Sequence, residues 1–284
     1  MTSPMPSLPP TAGHPGEPCM VNVTARATIA ARLADIAALR DGGWAESARP
    51  LPRRFLRHAD EQTVVGMHAV LAAIGTLPAS HSLAGNGVIA ASCQAGRVAA
   101  AQTLVQAKRG GGVTVSTQIV PQGSLHSLAG AVIVGLGMHG PNIGVSGGPA
   151  AVSEGLLTAF SWLHGSGPVA CDTVWLVITG WDDEPALDAD GQPTTDPVCR
   201  GVTLSVSRAT AASSFGGQQL RLELHPHSAS GNRLTTAAGS LRSLADALSA
   251  HASSAAPLEW SHHFSWGGEA RLTAVTVAHR QEAA

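Results

Sequence analysis

Residues Gly135–Asp183 read GLGMHGPNIGVSGGPAAVSEGLLTAFSWLHGSGPVACDTVWLVITGWDD, and this stretch decides how the chain folds. It predicts a short strand over Ile143–Val145, a glycine turn, a helix over 150–163 and a second strand over Thr173–Thr179. Pro149 is expected at the first helical position, where its missing N–H costs nothing. Joints of this kind are where α/β proteins place a nucleophile or bind an anion.

Helices and strands alternate on both sides of this joint. The apolar spacing upstream predicts helices over 25–40, 60–74, 97–108 and 124–138, a strand over 88–91, and a strand or an extended segment over 113–120. The helix with the clearest signals is preceded by Asp60 as its N-cap and followed by Gly75. Downstream, the pattern predicts strands over 202–208, 219–225 and 271–278 and a helix over 241–250. Together these elements predict an α/β fold with a mixed central sheet flanked by helices.

Composition excludes several classes of protein. The chain has 284 residues, of which 44% are apolar and 13% charged, and its net charge is −2. This length supports one sizeable core, and no apolar run reaches the roughly 18 residues of a membrane-spanning helix. The small net charge provides no electrostatic basis for binding nucleic acid or an anionic membrane. Residues 1–22 are rich in proline and predict a disordered lead-in, which leaves 23–284 as a single domain.

The cysteines and histidines predict no metal and no cofactor. The four cysteines match neither a zinc pattern nor a CxxC pair, and the start of the chain resembles no export signal, so we expect free thiols in the cytoplasm. The histidines around 225–227 and 262–263 have no further ligand at a fixed helical spacing. The GxGxxG match at Gly135–Gly140 is not followed by a helix, which argues against a dinucleotide site.

A second motif offers a nucleophile. Gly144–Gly148 matches GxSxG and lies between a strand and a helix, as a nucleophile elbow requires. Ser146 would be the nucleophile and Asp182 or Asp183 the acid, with His126 close to the joint. Further candidates for the base lie downstream, at His225, His227, His262, His263 and His279. A serine acyltransferase or hydrolase is therefore one interpretation of the joint.

Residues 125–183 also resemble the N-terminal half of the β-ketoacyl synthases. Gly137–Ile143 (GMHGPNI) is similar to the GLxGPN segment that leads into the active-site strand of that family, and Leu125–Gly130 is similar to the segment before it. The predicted helix and strand that follow occupy the places of the family's nucleophile helix and next core strand. The resemblance is strongest over 55–210 and implies a thiolase-like half.

This resemblance implies that the nucleophile position falls on Pro149. Synthases of the family place a cysteine at the start of the helix after GPN, where the positive helix end lowers the pKa of the thiol. Counting from Gly140 without gaps reaches Pro149, which has neither a thiol nor the N–H that the family uses to hold an oxyanion. After residue 210, no motif matches the family's C-terminal half, which supplies catalytic histidines and a lysine.

The loss of the thiol favours a non-catalytic role. We expect a ketosynthase-like protein that acts as a structural or chain-length-factor-like partner in fatty-acid or polyketide-type biosynthesis. In the family, the short strand beside the nucleophile pairs across the dimer axis. The resemblance therefore implies a homodimer, or a heterodimer with an active ketosynthase, through the joint residues Gly140, Pro141, Asn142, Ile143 and Val145. Acyl-carrier protein is a further implied partner.

Overall fold

The computed structural model describes residues 17–42, 49–52, 54–117, 119–165, 171–208, 218–226, 239–254 and 257–276. The strands in these residues are β1 (Cys19–Arg32), β2 (Gly87–Ser92), β3 (Asn142–Val145), β4 (Thr173–Trp181), β5 (Val198–Arg208), β6 (Gln218–His225), β7 (Glu259–His263) and β8 (Glu269–Thr276). The helices are α1 (Leu33–Asp41), α2 (Glu61–Ile74), α3 (Arg97–Gly110), α4 (Ile119–Gln122), α5 (Ser127–Leu136), α6 (Ala151–His164) and α7 (Leu241–Ser254).

The described strands form one mixed sheet in the order β3-β2-β4-β5-β1-β6-β8-β7. The parallel part is small: β2 pairs in parallel with β3 on one side and with β4 on the other. The remaining neighbours are antiparallel, and β1 lies in the middle, bonded to β5 and to β6. The predicted α/β fold with a mixed sheet is confirmed.

Helices cover both faces of the sheet, because buried strands present apolar side chains to both sides. Ile89 and Ala91 of β2 contact the layer that contains α6 and α7. Val88 and Ala90, which alternate with them, contact the opposite layer of α1, α2 and α5. The central strands therefore read as continuous apolar runs, as VIAA in β2 and VWLVI in β4 do.

The clearest sequence signals are confirmed in α2. Asp60 is its N-cap, and the carboxylate Oδ1 accepts a hydrogen bond from the backbone N of Thr63 at 2.9 Å. Its other oxygen, Oδ2, accepts from the backbone N of Gly96 at 2.7 Å and so links α2 to the start of α3. Burial raises the pKa of the Asp60 carboxyl, and these two hydrogen bonds offset part of that effect.

Two predicted elements are wrong. The helix expected over 25–40 is mostly the strand β1, and only the short helix α1 follows it. The strand or extended segment expected over 113–120 is a single 3-10 turn at Gly112–Thr114 followed by the four-residue α4. The strand β7 was not expected. β1 begins at Cys19, inside the disordered lead-in expected over 1–22, and residues 1–16 of that expectation lie outside the described part of the chain.

Candidate functional site

The predicted joint exists and lies at the carboxyl ends of the parallel strands. β3 leads through residues 146–150 into α6, beside the ends of β2 and β4. Gln94 and Ser146, the residues just beyond β2 and β3, have positive φ angles of 57° and 71°. The backbone N of Gln94 donates to the carbonyl of Gly147 at 3.1 Å, which joins the two turns. Crevices at the carboxyl ends of such strands are where α/β proteins place their sites.

A buried polar network holds the ends of β2 and β4 together. The hydroxyl of Thr179 is 2.9 Å from Oε1 of Gln62 and 2.8 Å from Oγ of Ser92. Because an amide oxygen can only accept, Thr179 donates its single proton to Gln62 and accepts from Ser92. The amide of Gln62 donates in turn to the carbonyl of Cys93 at 2.5 Å. These hydrogen bonds hold the carboxyl ends of β2 and β4 together. They engage the polar groups of all three side chains, so none of the three is free to act on a substrate.

The GPN segment is held by close backbone contacts. The carbonyl of Pro141 accepts from the backbone N of Val88 at 2.8 Å and aligns β3 with β2. A Cβ at Gly140 would collide with the carbonyl oxygen of Asn86, and one at Gly144 with that of Leu125. Glycine is therefore required at both positions for packing reasons alone.

The structure does not favour a triad on Ser146. The Ser146 hydroxyl lies 3.4 Å from the backbone N and O of Gly148, and within the described ranges no histidine bonds to it. Asp182 is held elsewhere, with Oδ1 2.6 Å from Nε of Arg200 and Oδ2 3.9 Å from Arg242. His126 is exposed beside an apolar groove next to α5. Of the five downstream histidines, His227 and His279 lie outside the described residues.

Pro149 is exposed in the turn before α6 and is not the first helical residue. The helix begins at Ala151 with Ala150 as its N-cap, which is two residues after Pro149 and one after the expected start at 150. None of the four cysteines lies in this turn or in α6. Burial raises the pKa of the Cys93 and Cys171 thiols, and raises that of Cys199 well above its usual range. The thiolate form is therefore disfavoured at all three of these positions.

One pair of side chains at the joint was not anticipated. Ser153, in the first turn of α6, has its Oγ 2.7 Å from Nε2 of His262 on β7. His262 was among the candidate bases, but it was assigned to Ser146. The two partners are 109 residues apart in the sequence and match no motif, so no local signal identifies them.

Other kinds of site have little support in this part of the chain. Within the described ranges, no cluster of three or more histidine, cysteine or acidic side chains has the geometry to hold a metal ion. Over the same residues, every helix is too short or too polar to span a bilayer.

Comparison with known proteins identifies the fold. No family model and no curated protein matches the sequence. Among solved structures, the chain is similar to a ketosynthase (ApeO) in complex with its chain length factor (ApeC) from Xenorhabdus doucetiae. The TM-score is 0.52 at 14% identity, over 89% of this chain and 99% of that chain.

A second similar structure is the AntDE:AntF complex, in which a type II polyketide synthase acyl-carrier protein is bound to its ketosynthase with the hexaketide. The TM-score is 0.51 at 14% identity, over 74% of this chain and 70% of that chain. At this identity the likeness concerns the fold alone. The chain therefore has the thiolase-like fold of the ketosynthases.

Proposed function

We propose that this chain is a ketosynthase-like protein that has lost the family's condensation chemistry and pairs with an active ketosynthase in polyketide-type or fatty-acid biosynthesis. The fold supports this proposal, and so does the share of each chain that the structural match covers. The match includes 89% of this chain and 99% of the similar chain in the ketosynthase–chain length factor complex. That chain is therefore of similar length, and the fold occurs at this size within such a complex.

Loss of condensation chemistry is part of the proposal. The turn where the family resemblance expects a cysteine contains Pro149, and none of the four cysteines belongs to this turn or to α6. A helix start without a thiolate retains its partial positive charge but has no nucleophile at that position. The proposed protein therefore shapes or supports a partner's reaction and forms no carbon–carbon bond itself.

The free edge of β3 is the observation that carries the proposed pairing. β3 ends the sheet and pairs only with β2 among the described strands. Asn142 and Ile143 are exposed, and 39% of the Ile143 surface remains accessible. A strand edge presents unpaired N–H and C=O groups that a second strand can complete. We propose that this edge, Gly140–Val145, pairs with the equivalent edge of a ketosynthase or of a second copy.

A groove next to this edge fits the chain-length role. It has a volume of about 530 Å³ and lies between α5 and the segment before α2. Phe55, Leu56, Ala131 and Val134 contribute apolar walls, and 72% of the Val134 surface is exposed. Apolar clefts of this size accept acyl chains more readily than charged ligands. In the proposed pair this groove would lie at the boundary with the partner.

Association is tested by co-purification and mass measurement. The chain is co-expressed with each ketosynthase encoded in the same genome, and the masses of the purified proteins are measured by light scattering. We expect a dimer that Ile143→Lys disrupts, because a charge buried at a strand pairing without a partner is costly. Leu104→Lys, which changes an exposed apolar residue of α3 that lines neither the β3 edge nor the groove, is the control and should leave the dimer intact.

The outcome that would contradict the pairing is equally definite. A strict monomer, both alone and with the ketosynthases, would remove the proposed function. A dimer that survives Ile143→Lys but is lost in Val134→Lys would place the interface on α5 and not on β3.

A further inference from the structure

The Ser153–His262 pair has the arrangement of a serine and its general base. Ser153 lies on α6, which follows the edge strand β3, and His262 lies on β7, the strand at the other end of the sheet order. The Oγ of Ser153 is nevertheless 2.7 Å from Nε2 of His262. Nucleophile and base within hydrogen-bond reach, with the base oriented by a third group, is the geometry that activates a hydroxyl.

The third group determines which nitrogen has the proton. Nδ1 of His262 is 2.7 Å from the carbonyl oxygen of Gly239. A carbonyl only accepts, so Nδ1 is the protonated nitrogen and Nε2 of the neutral ring has a free lone pair. Ser153 therefore donates its hydroxyl proton to Nε2. Burial lowers the pKa of His262, so the neutral, proton-accepting form prevails at neutral pH.

Aromatic neighbours prevent the base from rotating. The imidazole stacks on Trp260, with centroids 6.0 Å apart, and meets the edge of Phe264 at 5.1 Å and 78°. The indole N–H of Trp260 is itself anchored to Ser243 at 3.0 Å. Held by these two aromatic rings and by the Gly239 carbonyl, the imidazole keeps its lone pair aimed at Ser153, which is the preorganisation that a general base needs.

The serine itself is at the positive end of a helix and is only partly buried. It belongs to the first turn of α6, whose N-cap, Ala150, makes no side-chain hydrogen bond to the backbone N–H groups. The N–H of Ala151 is bonded to the carbonyl of Gly148. Those of Val152 and Ser153, by contrast, stay available to stabilise negative charge on a bound oxygen. The same turn borders the carboxyl ends of β2 and β3, so nucleophile, base and electropositive backbone are assembled at one place.

We propose that Ser153 is an acyl-accepting nucleophile with His262 as its general base, and that the acyl donor is a thioester or another activated ester. The Ser153 oxygen attacks the acyl carbonyl, the O–C bond forms and the C–S bond of a thioester breaks. The hydroxyl proton passes to Nε2 and then to the departing thiolate. This activity is separate from the proposed pairing and uses neither Pro149 nor the β3 edge.

The test is covalent labelling of the full chain with a fluorophosphonate. Attack by the serine oxygen forms an O–P bond and expels fluoride, and the proton leaves with it. We expect one label, which peptide mass mapping of the wild-type protein places on Ser153. Ser153→Ala should remove it, and His262→Gln should slow it about a hundredfold, since a positioned base contributes at least that much.

Two matched serines control for surface reactivity. Ser161→Ala changes an exposed serine two turns along the same helix, and Ser146→Ala changes the elbow serine. Both variants should label at the wild-type rate. Because mapping uses the wild-type protein, the result stands even where a variant folds poorly.

An unlabelled wild-type protein, or a label on any other serine, would overturn the proposal and leave the pair as a structural contact. Neither result bears on association with a ketosynthase, which is measured by mass without any labelling.

Discussion

At the scale of single residues, polar side chains at the joint are committed to partners. The side chains of Gln62, Ser92 and Thr179 form hydrogen bonds with one another at the carboxyl ends of β2 and β4. Asp182 forms an ion pair with Arg200. His262 differs from them, because it is a histidine ring whose Nε2 faces a hydroxyl at the start of a helix. The protonation state of that one ring therefore matters both to stability and to any chemistry at Ser153.

Acidification should weaken the fold through His262. Burial lowers its pKa, and the neighbouring His263 lowers it further, while the Gly239 carbonyl opposes them. Between the ordinary histidine pKa of about 6.5 and the lowered value, the unfolded chain binds a proton that the folded protein does not. The free energy of unfolding therefore falls as the pH falls through that window, and rises again with pH.

Urea unfolding at pH 7.5 and pH 5.5 measures this effect. The wild-type protein should lose more stability on acidification than His262→Gln does, because the variant has no titrating ring at that site. His139→Gln, at an exposed histidine, is the control and should follow the wild type. Equal losses in all three proteins would mean that His262 does not titrate differently on folding.

At the scale of elements, the N-cap residue of α2 also positions the start of α3. Asp60 caps α2 and also accepts from Gly96 at the start of α3, so one buried carboxylate positions two helices. The Gly96 backbone is left-handed, with φ of 67°. A Cβ there would press on Gly123, which packs the end of α4 against the same turn. The helices α2 and α3 both start beside the carboxyl end of β2.

Removing this carboxylate should cost more than the loss of an ordinary cap. Asp60→Ala abolishes the cap, worth about 1 kcal/mol, and leaves the buried Gly96 N–H unpaired, worth about 2 kcal/mol. Asp60→Asn keeps one acceptor oxygen and loses the buried charge, so it should cost roughly half as much.

Ser240→Ala is the matched control, because Ser240 lies just before α7, where its Oγ accepts from Ser243 N, but it is exposed. It should cost about 1 kcal/mol or less in urea unfolding. A cost for Asp60→Ala no greater than that of Ser240→Ala would show that the link to Gly96 adds nothing.

At the scale of the whole molecule, β1 connects two parts of the sheet. Its long register with β5 attaches it to the parallel region, and Cys19–Val23 pairs with β6, which leads on to β8 and β7. The sheet brings β7 back to α6, where Ser153 meets His262. The layer that contains α6 and α7 includes core side chains from both parts.

This continuity predicts one cooperative unit, in line with the single domain expected over 23–284. Native-state hydrogen exchange should give the slowest amides of β4 and β8 the same opening free energy, within about 1 kcal/mol, because both open only on global unfolding. Exchange in β8 at a clearly lower free energy would mean that the β6–β8 region opens separately. Exposed α3, which buries only Val98, serves as the internal reference for fast local exchange.

The association prediction also belongs to this scale. A mixed sheet that ends in the short strand β3 has one free edge at the joint, and the proposed pairing would complete it. Disruption by Ile143→Lys, with Leu104→Lys as its control, measures that role independently of the stability of the chain.

Local signals determined much of the fold. Asp60 and Gly75 mark the ends of α2, and the apolar runs VIAA and VWLVI identify β2 and β4, because cap preference and burial act over a few residues. The GPN segment and the strand–turn–helix order located the joint. Ketosynthase likeness followed from these features, and comparison with solved structures bears out the fold.

Tertiary structure decided what local patterns leave open. Ile29 and Leu33, with Ile36, have helical spacing, yet residues 19–32 become a strand because β5 and β6 bond to both of its edges. Only the folded chain brings Ser153 to His262, across 109 residues, and only the carbonyl of Gly239 assigns the proton of that ring. Such contacts depend on how distant segments pack, and sequence periodicity does not encode them.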